Sequence, residues 1–175
     1  MDNVLQRIAD PCFIGATITE NRSVGAKVVC KNHPDEKVGV MCLKDNHPSI
    51  VEYYELTPEL RDAVDENGEP AYNFGVILNY LFKESELEDI CENTLPLHIV
   101  EKKIPYIDDA RTLIKPEEPN GYKFETLILD MIQMMDTCLP FEVERDKEFA
   151  PIKNKTGIDS VESARALLAK NGVTL

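Results

Sequence analysis

Apolar and polar positions divide the chain into short elements rather than long periodic runs. Asp10-Pro11 reads as a helix start, a carboxylate that can cap followed by proline at the first helical position, where its missing N–H is no loss. A short helix over 12–19 follows. Three runs rich in Val, Ile and Tyr, at 26–31, 38–43 and 49–56, read as strands. Turn-rich stretches at 32–35 and 45–48 separate them. Connections this short favour an antiparallel meander, because parallel neighbours need a long crossover.

Thr57-Pro58 predicts the cap and first turn of a short helix over 58–64, and Asp65-Glu66-Asn67-Gly68 a turn. Residues 71–83 begin as a strand and stay apolar. Ser85 with Glu88 three positions on makes a capping box for a helix reaching Cys91. A helix is expected over 95–103, and a loop over 108–121, where Pro116, Pro119 and Gly121 cluster. The most regular period lies in 122–137. Phe124, Leu127, Ile128, Met131 and Ile132 fall at i, i+3, i+4, i+7 and i+8, and Met135 continues the stripe, which predicts an amphipathic helix. Met131, Met134 and Met135 read as core filler. A half-exposed strand is expected at 141–144, then a helix capped by Asp159 with Glu162 and stopped by Gly172. The mixture is α/β, and the early meander makes its sheet mixed.

A chain of 175 residues can bury a real core, and 43% hydrophobic with 29% charged residues marks it as globular. Its net charge of −13 argues against nucleic acid or an anionic membrane as partner. The acidity is uneven: residues 51–100 hold two basic and twelve acidic groups, whereas 151–175 hold four and two. No apolar run is long enough to span a bilayer, and the first twenty residues do not read as a signal peptide. The five cysteines are scattered without a C-x-x-C pair, so reduced cysteines in a cytoplasmic protein are expected, without a structural zinc.

Motifs for nucleophilic catalysis, zinc hydrolysis or a phosphate-binding P-loop are not found in the sequence. His33 and His47 precede proline in turns and read as surface residues. Lys123 follows Asn120-Gly121 at an expected helix start, where backbone N–H groups favour an anion. Lys153 sits in the stiff turn Ala150-Pro151-Ile152-Lys153-Asn154 and can be aimed at a phosphate. Glu52, between Val51 and Tyr53 in an expected strand, can accept hydrogen bonds from sugar hydroxyls. Each of these three also reads as an ordinary solvated residue.

A set of words changes that balance. Asp2-Asn3-Val4-Leu5 and Ala9-Asp10-Pro11-Cys12-Phe13-Ile14-Gly15 resemble stretches of the eukaryotic UDP-N-acetylglucosamine pyrophosphorylases. So do Gly25-Ala26-Lys27-Val28-Val29, Val38-Gly39-Val40, Val51-Glu52-Tyr53 and Lys102-Lys103-Ile104-Pro105-Tyr106. Leu113-Ile114-Lys115-Pro116, Pro119-Asn120-Gly121-Tyr122-Lys123 and Phe149-Ala150-Pro151-Ile152-Lys153-Asn154 complete the set, in the family's order from Asp2 to about Leu168. The resemblance implies a Rossmann-like nucleotide-diphospho-sugar transferase domain with a mixed sheet and an antiparallel strand insertion. It implies an enzyme, a uridylyltransferase joining UTP and N-acetylglucosamine 1-phosphate into UDP-N-acetylglucosamine and pyrophosphate, with Mg²⁺ as cofactor. Such chemistry asks for positioning and charge neutralisation more than for an acid–base pair.

Carried over by position, Asp2 matches the aspartate that holds magnesium and the nucleotide phosphates. Gly39 matches the glycine whose backbone approaches the N-acetyl group. Glu52 and Tyr53 match the pair at the sugar, and Lys123 and Lys153 the two phosphate-binding lysines. The family typically places an Asn on the sugar where this chain has Val76, in Tyr72-Asn73-Phe74-Gly75-Val76. Asn73 or Asn79 is then expected to substitute, or another UDP-sugar to be the substrate. The family's Gly-rich UTP loop and its C-terminal β domain have no match in these residues. The expectation is therefore the second half of a catalytic domain, inactive alone and partnered by a chain that carries the loop. The alternative is a non-catalytic paralogue binding a UDP-sugar or a protein.

Overall fold

A computed structural model describes residues 2–174. Its centre is a mixed five-stranded sheet. The strands are β1 (Val24–Cys30), β2 (Val40–Lys44), β3 (His47–Val51), β4 (Phe74–Phe82) and β9 (Cys138–Glu142), in the order β3-β2-β4-β1-β9. Strand β1 pairs antiparallel with β4 and parallel with β9, and β2 pairs antiparallel with β3 and β4. The expected mixed sheet with an antiparallel insertion is present. The hairpin joining β2 to β3 turns at Asp45 and Asn46, both at positive φ, residue types that tolerate that region.

Helix α1 (Pro11–Thr19) starts as its sequence predicts, with the Asp10 carboxylate accepting from the Cys12 amide at 3.0 Å. It lies on β1 at Gly25. A Cβ there would fall 2.6 Å from Thr17 Oγ1 and 2.7 Å from Phe13, so the close approach requires glycine. The opposite face of the sheet gathers Val24, Ala26, Val28, Met41, Ile50 and Val76 against Leu129, Ile132 and Met135. Helix α2 (Pro58–Arg61) is a single turn capped by Thr57.

Five readings of local pattern are corrected. Residues expected as a helix over 95–103 form strand β5 (His98–Lys102), and those opening the expected 122–137 helix form β8 (Gly121–Glu125). The two pair antiparallel from His98↔Glu125 to Lys102↔Gly121. Helix α4 keeps only Asp130–Gln133. β-branched Ile99 and Val100 and the aromatics Tyr122 and Phe124 suit a ribbon, and cross-strand pairing outweighs a helical period that two strands happen to mimic. Between them, β6 (Tyr106–Ile107) and β7 (Leu113–Ile114) form a small second ribbon inside the expected loop. Helix α3 (Glu84–Ile90) begins one residue before Ser85, so the capping box there does not form. The single turn α5 (Arg145–Glu148) precedes α6 (Val161–Lys170), which is capped by a Ser160–Ser163 box rather than by Asp159 and ends before Gly172 at φ +77°.

Candidate functional site

Two segments far apart in sequence build one wall of a cleft. Asn3 and Pro151 form an isolated bridge, the Val4 amide donates to the Ala150 carbonyl at 3.2 Å, and the Ile152 amide donates to the Asp2 carbonyl at 2.8 Å. The buried Asn3 side chain completes the seam. Its Oδ1 accepts from the Ala150 amide at 2.7 Å, and its Nδ2 donates to the Glu148 carbonyl at 2.7 Å. Asp2 and Lys153 are thereby brought to the same cleft, about 160 Å³ in volume.

The opposite wall comes from the sheet. Gly39, just before β2, lies on its floor. A Cβ there would reach 3.2 Å from Ile50 Cγ2, 3.3 Å from Val76 Cγ2 and 3.6 Å from Glu52 Oε1, so a side chain would crowd the space where Val76 and Glu52 face it. Glu52 follows the last residue of β3 rather than lying inside a strand, because the chain turns at 53–55. That turn lets its carboxylate project into the cleft beside Tyr53, whose ring meets Tyr54 edge-on at 5.3 Å. Burial raises the Glu52 pKa above the usual carboxylate range and Glu55 adds to this, while Lys153 and His98 pull against it. A half-buried carboxylate with an amine across the cleft can accept hydrogen bonds from hydroxyl groups whose phosphate that amine neutralises.

Asp2, Gly39, Glu52, Tyr53 and Lys153 all line this cleft. Lys123 does not line the cleft. It lies in β8 rather than at a helix start, and its ammonium is taken by Glu125 on the same face of the strand. Asn73 is also elsewhere: its Oδ1 accepts from the Lys31 amide at 2.9 Å, a bond that holds the entry to β4. Asn79 donates to the Arg7 carbonyl at 2.9 Å. Neither carboxamide replaces a contact at Val76, whose apolar side chain lines the cleft.

Two features escaped the sequence reading. Lys37 lines the cleft as a second exposed amine. Its place just before Val38-Gly39 was the available signal. Behind Glu52 a polar hollow of about 340 Å³ contains His98, whose Nε2 lies 2.9 Å from the buried Asp130 carboxylate. Nothing in the sequence linked those two, since His98 was assigned to a helix that is strand β5 and Asp130 to the middle of a long helix of which only α4 forms.

Among the described residues no three His, Cys, Asp or Glu side chains gather to enclose a metal ion. The cleft instead offers the Asp2 carboxylate, with Glu52 on the sugar side, beside two amines suited to phosphate. That donor set fits a magnesium ion, which keeps several waters and takes one or two carboxylates together with substrate phosphate oxygens. The five cysteines are free, and among the described residues no helix is long and apolar enough to cross a membrane.

Comparison with known proteins bears on the whole of this arrangement. Residues 1–174 match the family described as UTP–glucose-1-phosphate uridylyltransferase. The mouse UDP-N-acetylhexosamine pyrophosphorylase-like protein 1 is 41% identical over 98% of this chain and 35% of its own length. The UDP-N-acetylglucosamine pyrophosphorylase of Saccharomyces cerevisiae is 38% identical over 99% of this chain and 38% of its own. A crystal structure of a candidate UDP-N-acetylglucosamine pyrophosphorylase from Entamoeba histolytica superposes with a TM-score of 0.84 at 34% identity, covering 97% of this chain and 42% of that one. The chain thus spans little more than a third of the length of these two curated relatives. It belongs to the UTP–glucose-1-phosphate uridylyltransferase family.

Proposed function

We propose that this chain supplies the sugar- and phosphate-binding part of a UDP-N-acetylglucosamine pyrophosphorylase. The observation that carries the reading is the convergence of Asp2, Gly39, Glu52 and Lys153 on one cleft from four separate segments. In the reaction, an oxygen of N-acetylglucosamine 1-phosphate attacks the α-phosphorus of UTP in line; the new P–O bond forms as the bond to pyrophosphate breaks. Lys153 and Lys37 neutralise phosphate oxygens that approach or leave, and Glu52 fixes the sugar through its hydroxyls. Tyr53 lines the ring, and the bare backbone at Gly39 admits the N-acetyl group. Asp2 would hold magnesium, which supplies further charge neutralisation at the phosphates when bound. Lys123 acts at the phosphates only if β8 releases it from Glu125.

The complete active site on this reading joins the cleft to a Gly-rich nucleotide loop from outside these 175 residues, in a Rossmann-like catalytic domain of a cytoplasmic enzyme. A pyrophosphate-release assay tests it: the 175-residue chain is mixed with a chain bearing that loop, in UTP, N-acetylglucosamine 1-phosphate and Mg²⁺. UDP-N-acetylglucosamine is expected only when both chains are present, with turnover falling at least about tenfold in Lys153→Ala. Turnover that Lys153→Ala leaves unchanged contradicts the assignment. The apolar Val76 at the cleft favours one second reading, a protein that binds a UDP-sugar without turnover or prefers another sugar. Binding of UDP-N-acetylglucosamine with no product from the mixture would support the non-catalytic form, and a faster rate with another sugar 1-phosphate the altered preference.

A further inference from the structure

Lys27 stands in β1 with no solvent exposure and does not line the cleft. Its ammonium donates to Glu148 Oε2 at 2.5 Å and to Asp10 Oδ2 at 2.8 Å, and lies 5.6 Å from the centre of the Phe13 ring. The two carboxylates are themselves nearly dry, 7% and 14% exposed. A lysine taken wholly out of water is costly unless charge and hydrogen bonds compensate it, and here two partners do so. The same three side chains join β1, the cap of α1 and α5.

Glu148 is where this ion cluster meets the cleft wall. Its side chain holds Lys27, while its carbonyl accepts from Asn3 Nδ2. Asn3 in turn accepts the Ala150 amide, and the next bond along, Ile152 N–H to the Asp2 carbonyl, sets Asp2 beside the segment that presents Lys153. Helix α5 is one turn long with no side-chain cap, so it has little internal stability to hold Glu148 in place. Opposite Lys27 the ladder between β1 and β4 slips register, and Leu78 adopts positive φ. The displaced groups at that irregularity, the Leu78 carbonyl and the Asn79 carboxamide, hold Gln6 and Arg7. Both devices anchor the segment that begins at Asp2.

We infer that Lys27 is a positioning residue for the cleft: by pinning Glu148, it sets the spacing of Asp2 and Lys153 through the Asn3 seam. The inference rests on the proposed pyrophosphorylase reading only for its functional consequence. Without Lys27, two carboxylates stay buried with no cation, and the response is for Glu148 to swing to water, taking the Glu148 carbonyl and the Ala150 amide away from Asn3. The seam then opens while the sheet behind it remains.

Site-resolved amide hydrogen exchange on the full chain tests this without requiring activity. Lys27→Met is compared with Ile132→Ala, a core change on the other face of the sheet, under conditions adjusted to equal global stability. The Ala150 and Ile152 amides are expected to exchange at least about tenfold faster in Lys27→Met than in the control. Equal exchange in the two variants overturns the inference. Should Lys27→Met fail to fold, Glu148→Gln, which keeps an acceptor for Lys27 and removes the charge, is read against a core variant in the same way. Calorimetric titration with pyrophosphate is run alongside. Wild type that binds no pyrophosphate, together with a seam that opens in the variant, counts against the functional reading and leaves the positioning role standing. Wild type that binds, with weaker binding in Lys27→Met and unchanged exchange, overturns the positioning route.

Discussion

The carboxamide of Asn3 accepts the backbone N–H of Ala150 at 2.7 Å across 147 positions of chain. A single buried side chain thereby ties the segment at 2–4 to the segment at 148–152, and the cleft lies at the junction. Asp2 and Lys153 are each one to three residues from that bond, so its geometry fixes how far apart a carboxylate and an amine stand when a phosphate arrives.

The amines of the cleft are predicted to contribute unequally. Lys153→Ala should weaken pyrophosphate binding about tenfold at low salt, the loss of one charge-assisted hydrogen bond, and Lys37→Ala by somewhat less. Lys123→Ala should change it least, since Glu125 already holds that ammonium. Calorimetric titration of the three variants checks the ranking. An effect of Lys123→Ala equal to that of Lys153→Ala would show that β8 moves when ligand binds.

Val76→Asn places a carboxamide where the cleft now has a methyl group. The position is buried, so the free protein should lose about 1–3 kcal/mol for the unpaired amide. Saturating UDP-N-acetylglucosamine should return part of that loss, and more than UDP-glucose does, as thermal melts with each ligand would report. Equal recovery with both ligands would separate this position from the N-acetyl group.

Asp10 makes a pH-dependent contribution. The hydrogen bond from Lys27 and the bond from the Cys12 amide hold its carboxyl below the ordinary value of 3.8. A depressed folded pKa means the unfolded chain binds the proton more tightly, so the contribution is full above pH 3.8 and is lost as pH falls through the folded value. Asp10→Asn, which still caps α1, should cost about 1–2 kcal/mol at neutral pH. The gap between wild type and variant should narrow in urea melts taken below pH 4. A gap that stays constant with pH would remove the ion pair from the explanation.

Gly25→Ala should destabilise the fold by about 1–3 kcal/mol, because the added Cβ drives Thr17 and Phe13 off β1. Chemical denaturation measures it directly. Gly15, whose added Cβ would meet nothing within 4 Å, serves as the control, and Gly15→Ala should leave stability unchanged or slightly raised within α1.

Local signals in the sequence worked where they were self-contained. Asp10-Pro11 capped a helix, and the turn expected at 45–48 made a hairpin, tighter than expected because His47 and Pro48 already pair in β3; each needs only its own few residues. The ribbon of β5 and β8 was misread twice for one reason. Each strand is defined by partners distant along the chain, from His98↔Glu125 to Lys102↔Gly121, and neither segment alone shows which period it will follow. The site divided in the same way. The resemblance named Asp2, Gly39, Glu52, Tyr53 and Lys153, which line one cleft; Lys37 was signalled only by its place just before Val38-Gly39, and the Lys27 cluster follows from three-dimensional neighbours that no spacing along the chain encodes.

If the cleft between Asp2, Gly39, Glu52 and Lys153 is a sugar-nucleotide phosphate site, UDP-N-acetylglucosamine must bind there. The decisive experiment titrates UDP-N-acetylglucosamine with Mg²⁺ into the isotopically labelled chain and follows backbone resonances. Shifts are expected to concentrate at Gly39, Glu52, Tyr53 and the 150–153 segment, with little change at Asn73, and Lys153→Ala to abolish or greatly weaken them. Shifts confined to other surfaces, or identical shifts in Lys153→Ala, would contradict it.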